Sequence, residues 1–142
     1  MKELLEELIK KSLDDLYNND IYLIDHQVSE RNLMCHFAHY FMNHMCDTAI
    51  ASYNVDCEYN RDGYEAKLIG KNRIFPDFIV HRRGTNDDNL LVIEFKTWWN
   101  VDNENDIVKL QNMMSERYRY QYQYACSIIL HQDREHVNII YV

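Results

Sequence analysis

The chain has 142 residues, of which 46% are hydrophobic and 13% aromatic, with one proline, three glycines and a formal net charge of −8 at pH 7. That is enough apolar material for one domain with its own core, and it leaves little for a flexible linker. Cys35, Cys46, Cys57 and Cys126 lack paired spacing, which argues against a disulfide framework or a zinc site and for reduced thiols in a cytoplasmic protein.

Charges from Lys2 to Lys11 interrupt every apolar run, which argues against a secretory leader. No stretch approaches the ~20 apolar residues that span a bilayer, so no membrane association is expected. The charge is uneven. Residues 1–28 carry seven acids against three lysines, whereas residues 61–85 carry six Lys/Arg against three acids. The acidic total is unusual for a strong, sequence-independent nucleic-acid binder. The locally basic segment suits a phosphate backbone and suits a solvated face of mixed charge equally well.

Taken in order, residues 2–17 read as an amphipathic helix, with Leu4, Leu5, Leu8, Ile9, Leu13 and Leu16 at helical spacing. It is expected to be an accessory element that packs on the core or on a second subunit. Residues 18–27 read as a connection, with Ile21, Tyr22, Leu23 and Ile24 tucked inward. Ser29 is placed to cap a long helix to about Asp47. Its apolar stripe is Leu33, Met34, Phe37, Phe41 and Met45, and Glu30 heads that stripe. An acid there is either a first-turn partner of the helix dipole or a functional group. His36, His39 and His44 do not share one helical face and are expected at or near the surface.

Residues 52–61 alternate as a half-exposed strand, with Val55, Cys57 and Tyr59 on one side. A turn follows at Asp62-Gly63, then a short strand from Tyr64 to Ile69. Beyond the main hairpin, Asn103 is placed to cap a helix to about Arg117, with Ile107, Leu110 and Met114 inward. Residues 120–131 alternate as a strand with Tyr120, Tyr122, Tyr124, Cys126, Ile128 and Leu130 on one side, and 137–142 form a last strand. A crossover helix between strands predicts parallel pairing.

The organising stretch is Ile74 to Lys96. Two apolar runs flank the polar segment Arg82 to Asn89. A turn centred between Thr85 and Asn86 sets Asp77 across from Glu94, Ile79 from Val92 and His81 from Leu90. One face then carries only Pro76, Phe78, Val80, Leu91, Ile93 and Phe95. The other carries Ile79, Val92 and Leu90, with Asp77, Glu94 and Lys96 gathered at one end. Strands apolar on both faces belong inside a covered sheet. Ionisable groups there are costly to bury without a partner, and a hard divalent cation with oxygen ligands offsets the cost.

Pro76-Asp77 followed by Glu94-Phe95-Lys96 resembles the signature of the PD-(D/E)XK nuclease superfamily, in the manner of its small bacterial members. Over residues 29–131, the order of elements also resembles that superfamily's core. The resemblance implies a restriction-endonuclease-like α/β (α+β) fold: helix, three antiparallel strands, helix, strand, in a mixed sheet flanked by helices. Residues 1–28 would be accessory to a single domain. It also implies metal-dependent hydrolysis of phosphodiester bonds in nucleic acid, most readily DNA. Asp77 and Glu94 would hold Mg²⁺ or Mn²⁺, with the Phe95 carbonyl and waters completing the shell. The metal would polarise the phosphate and favour ionisation of the attacking water. Lys96 would orient that water or offset charge on the phosphorane oxygens. Glu30 matches the acid that many members carry on the first core helix. Lys71, Arg82, Arg83 and Lys109 are candidate phosphate contacts. The chain is short for a long recognition surface, which a homodimer or larger complex would supply. A second acid-x-Lys, Glu65-Ala66-Lys67, follows a turn outside any apolar strand, so its charges are expected to point to water. The alternative is an inactive module of the same fold, acting in nucleic-acid binding or assembly.

Overall fold

A computed structural model of the chain describes residues 1–62, 64–100 and 104–142. Its elements are α1 (Lys2–Asn19), α2 (Ile21–Asp25), α3 (Glu30–Met45), β1 (Asn54–Cys57), β2 (Leu68–Ile69), β3 (Asn72–Arg73), β4 (Phe78–His81), β5 (Leu91–Thr97), α4 (Glu104–Met114), β6 (Tyr124–Leu130), a 3₁₀ turn (Arg134–His136) and β7 (Asn138–Tyr141). Gly63 and Asn103, expected in a turn and as a helix cap, lie outside the described residues.

Five strands form one mixed α/β sheet in the order β1-β4-β5-β6-β7, and β2 and β3 form a separate ribbon. β5 and β6, joined by the crossover helix α4, run parallel. The β1–β4, β4–β5 and β6–β7 pairs are antiparallel. β4 is buried at every residue, and β5 at all but Lys96, because helices cover both faces. α1 and α3 pack with Phe78, Val80, Leu91, Ile93 and Phe95. α4 covers the opposite face, where Leu110 and Met113 meet Ile79, Val92 and Ala125. Ser29 caps α3 by accepting the Asn32 N–H. The α3 stripe ends in an aromatic cluster: the Phe37 ring meets Phe78 and Phe95 edge-on with centroids 5.4 and 4.9 Å apart. Such pairs add about 0.5–1.5 kcal/mol each beyond area burial.

The expected hairpin register holds, with Ile79 opposite Val92. It departs at the loop end. Leu90 donates its N–H to the Val80 carbonyl at 2.9 Å, although Val80 already pairs with Leu91. Two residues facing one make a bulge, which turns Leu90 onto the same side as Leu91 and removes the His81–Leu90 pairing. β1 stops four residues short of its expected end. Glu58 takes a positive φ of 50°, which breaks the alternation and sends Tyr59 to the opposite cluster from Val55 and Cys57. β6 likewise begins only at Tyr124. Gln121 has φ 44°, and Tyr120 and Tyr122 bury in the α4 cluster, not with Tyr124.

α1 packs on the core, one of the two placements expected for it, with Leu5, Leu8, Ile9, Leu13 and Leu16 part of the main cluster. The expected inward run after it is wrong in part. Ile24 is buried, but Ile21 and Tyr22 are exposed, since one turn of helix (α2) can bury only one side. On α4 the inward residues are Leu110 and Met113, with Ile107 and Met114 half-buried. Lys67 also contradicts expectation. It is 1% exposed, with its ammonium 5.0 Å from the Tyr59 ring centroid and 5.7 Å from that of Tyr120.

Candidate functional site

The hairpin stops pairing where its sequence places Pro76. The register that joins Phe78 to Ile93 puts Pro76 opposite Phe95. Proline has no N–H to donate, so the Phe95 carbonyl has no ladder donor on that side. The Phe95 N–H turns to a side chain and donates to Asp77 Oδ2 at 2.7 Å. The Asp77 N–H points at Glu94 Oε1, 3.4 Å away, and the Asp77 carbonyl accepts from Glu58 N at 3.0 Å. A broken ladder thus fixes both carboxylates at the end of the two central strands.

Glu94 is 3% exposed and Lys96 half-buried, and both face α4. α4 answers with opposite charges one turn apart. Lys109 Nζ lies 2.8 Å from both Glu94 oxygens and donates to the Phe75 carbonyl at 3.0 Å. Asp106 Oδ2 lies 3.5 Å from Lys96 Nζ, an ion pair too long for a good hydrogen bond, and has no other donor among the described residues. Burial, then repulsion from Asp77, lifts the Glu94 carboxyl to about 8, although Lys109 pulls the other way. Burial also lifts Asp77 and Asp106. Burial works against the Lys96 charge, but Asp106 and Glu30 outweigh it and raise that ammonium.

Glu30 reaches the site from the opposite face, at the head of α3. Its Oε2 accepts the Thr97 N–H and hydroxyl, each at 3.1 Å. A cleft of about 220 Å³ opens beside it, with Glu30, Glu58, Asp77 and Phe95 in its wall. The structure therefore gathers Asp77, Glu94, Lys96, Phe95, Glu30 and Lys109. Arg82 and Arg83 are not brought here. They follow β4 at the far end of the sheet, where Arg82 pairs with Asp88 and stacks on Tyr53, and Arg83 pairs with Asp56. Strand geometry puts that end ~13 Å or more from Asp77. Lys71 is exposed at the tip of the β2–β3 ribbon.

Two site acids escaped the sequence reading. Asp106 shares a helical stripe with Leu110 and Met113, and an acid on an apolar stripe was a legible signal. Glu58 had no such mark, because its positive φ is what turns it toward the cleft.

The donors fit a hard divalent cation. One buried carboxylate (Glu94), one half-buried carboxylate (Asp77) and a strand carbonyl that faces a proline suit an ion that keeps several waters. Among the described residues, no group of three or more His, Cys, Asp or Glu side chains is arranged to hold a metal ion. Also among them, no helix is long and apolar enough to cross a membrane. Comparison with known protein families, with curated proteins and with solved structures finds no match.

Proposed function

We propose that the chain is a Mg²⁺- or Mn²⁺-dependent nuclease of the PD-(D/E)XK type, with a restriction-endonuclease-like core, acting on phosphodiester bonds of nucleic acid and on DNA first. The observation that carries this reading is that Asp77 and Glu94 lie together at one end of the central strands, the Asp77 N–H 3.4 Å from Glu94 Oε1, with Lys96 two residues beyond Glu94 on the same face of β5 and no donor from Pro76 for the Phe95 carbonyl.

Asp77 and Glu94, with the Phe95 carbonyl, would hold the metal, which when bound supplies Lewis-acid polarisation of the phosphate and a more acidic water. The Phe95 N–H locks one Asp77 oxygen and so orients the carboxylate. Lys96 keeps its proton, because Asp106 and Glu30 raise its pKa. It is therefore suited to orienting water or offsetting phosphorane charge, not to acting as a base. Glu30 is tied to Thr97, so its role is to shape the cleft and its field. A homodimer would supply a longer recognition surface than this short chain offers.

The test is incubation with plasmid, single-stranded DNA and RNA in Mg²⁺ or Mn²⁺. Cleavage of at least one substrate is expected, reduced about a hundred-fold or more in Asp77→Asn. Equal cleavage by both proteins, or none by either, defeats the proposal. One observation favours an inactive module instead: Lys109 and Lys96 pair with Glu94 and Asp106, so the chain's own side chains balance these charges. Calorimetry separates the two, since a module of that kind binds no Mn²⁺.

A further inference from the structure

The position of Lys109 is not explained by phosphate contact alone. Its ammonium spans both oxygens of Glu94, each at 2.8 Å, and is anchored on the Phe75 carbonyl at 3.0 Å. The Glu94 carboxylate therefore presents its two oxygens to a protein cation. A divalent ion bound by the same carboxylate at the usual ~2.1 Å would sit within ~5 Å of that ammonium. Two cations at that range on one buried carboxylate repel strongly. The neighbouring lysine has no such conflict, because Lys96 faces Asp106 across the α4 interface.

We propose that Lys109 is the resident counter-ion of the site, that it competes with the divalent ion for Glu94, and that metal binding releases it toward the mouth of the cleft, where it contacts the substrate phosphate. This rests on the metal-dependent reading above. Three features of the surroundings support exchange in place of permanent pairing. Lys109 is the more exposed partner, with 23% of its side chain accessible against 3% for Glu94. Its other contact is one backbone carbonyl, next to the half-exposed Phe75 side chain. Its neighbour on α4, Val108, is 56% exposed, so the helix borders solvent at this point. Sequestering an ammonium in this way keeps two facing carboxylates compatible with folding before metal arrives, at the expense of metal affinity.

The test reads the amine directly and needs no substrate. Wild-type protein is treated with a limiting amine acylating reagent with and without saturating Mg²⁺, and labelling at Lys109 is measured by peptide mass spectrometry. Exposed Lys71 serves as the reference, and calorimetry in the same buffer establishes that Mg²⁺ binds. Lys109 is expected to label several-fold faster with Mg²⁺ while Lys71 is unchanged. In Glu94→Gln, Lys109 is expected to label fast with or without the ion. If Mg²⁺ binds but Lys109 labelling is unchanged or slower, the exchange is wrong and Lys109 holds Glu94 in place for the ion. If calorimetry finds no Mg²⁺ binding to the wild type, the metal-dependent reading itself falls, and the exchange with it.

Discussion

Glu94 allows a test of the site's electrostatics with no substrate and no metal. Burial and the facing Asp77 carry its carboxyl from 4.5 to about 8 in the folded protein. An unfolded chain sheds that proton near the ordinary carboxylate value. Between the two values the folded state binds the extra proton, so its stability falls as pH rises through this window and levels off above about 8. At ~1.4 kcal/mol per unit, a shift of this size has a ceiling of about 5 kcal/mol. Movement of Lys109 and water penetration reduce the expected loss to about 2–4 kcal/mol. Glu94→Gln keeps the shape and removes the titration. Urea unfolding in chelator at pH 5 and pH 8.5 should therefore show the wild type losing about 2–4 kcal/mol more than the variant. Asp77 and Asp106 are also raised and add slope to both proteins, so the difference isolates Glu94. A wild-type-minus-variant difference that stays constant across this range would refute the reasoning.

The other predictions concern different groups. Burial lowers the Lys67 ammonium to about 8, so the folded state favours the neutral amine, and stability rises with pH between that value and 10.5. Lys67→Met should raise stability at pH 7 by about 1–3 kcal/mol in urea titrations, with the gain vanishing above pH 10; a loss at pH 7 would mean the tyrosine rings outweigh desolvation. Burial pushes the Asp56 carboxyl up, but His81 and Arg83 outweigh it and hold it at about 2. Its stabilisation is present above the ordinary 3.8 and fades as pH falls toward 2, and Asp56→Ala should cost about 2–4 kcal/mol at pH 7 because buried His81 loses its partner. Thermal unfolding should rise with Mg²⁺ at pH 8, by about 2.7 kcal/mol at a hundred times the dissociation constant. Asp77→Asn should abolish that rise, and an unchanged rise would place the ion elsewhere.

The residues by themselves determined the two central strands and the faces of their paired part. Alternation between two apolar runs fixes which side chains share a face, and so Asp77, Glu94 and Lys96 had to lie together once the hairpin closed in its simplest register. The Ser29 cap and the α3 stripe were equally legible, because both depend on neighbours in sequence. Tertiary structure alone decided how that charge is balanced. Lys109 and Asp106 come to the site by way of a crossover helix, whose rotation is set by packing Leu110 and Met113. Glu58 and Gln121 leave the strand conformation, and Leu90 joins a bulge, because the backbone at each must meet partners distant along the chain. Local pattern reports which face a residue occupies. Which charge it meets there depends on contacts between elements that no local pattern encodes.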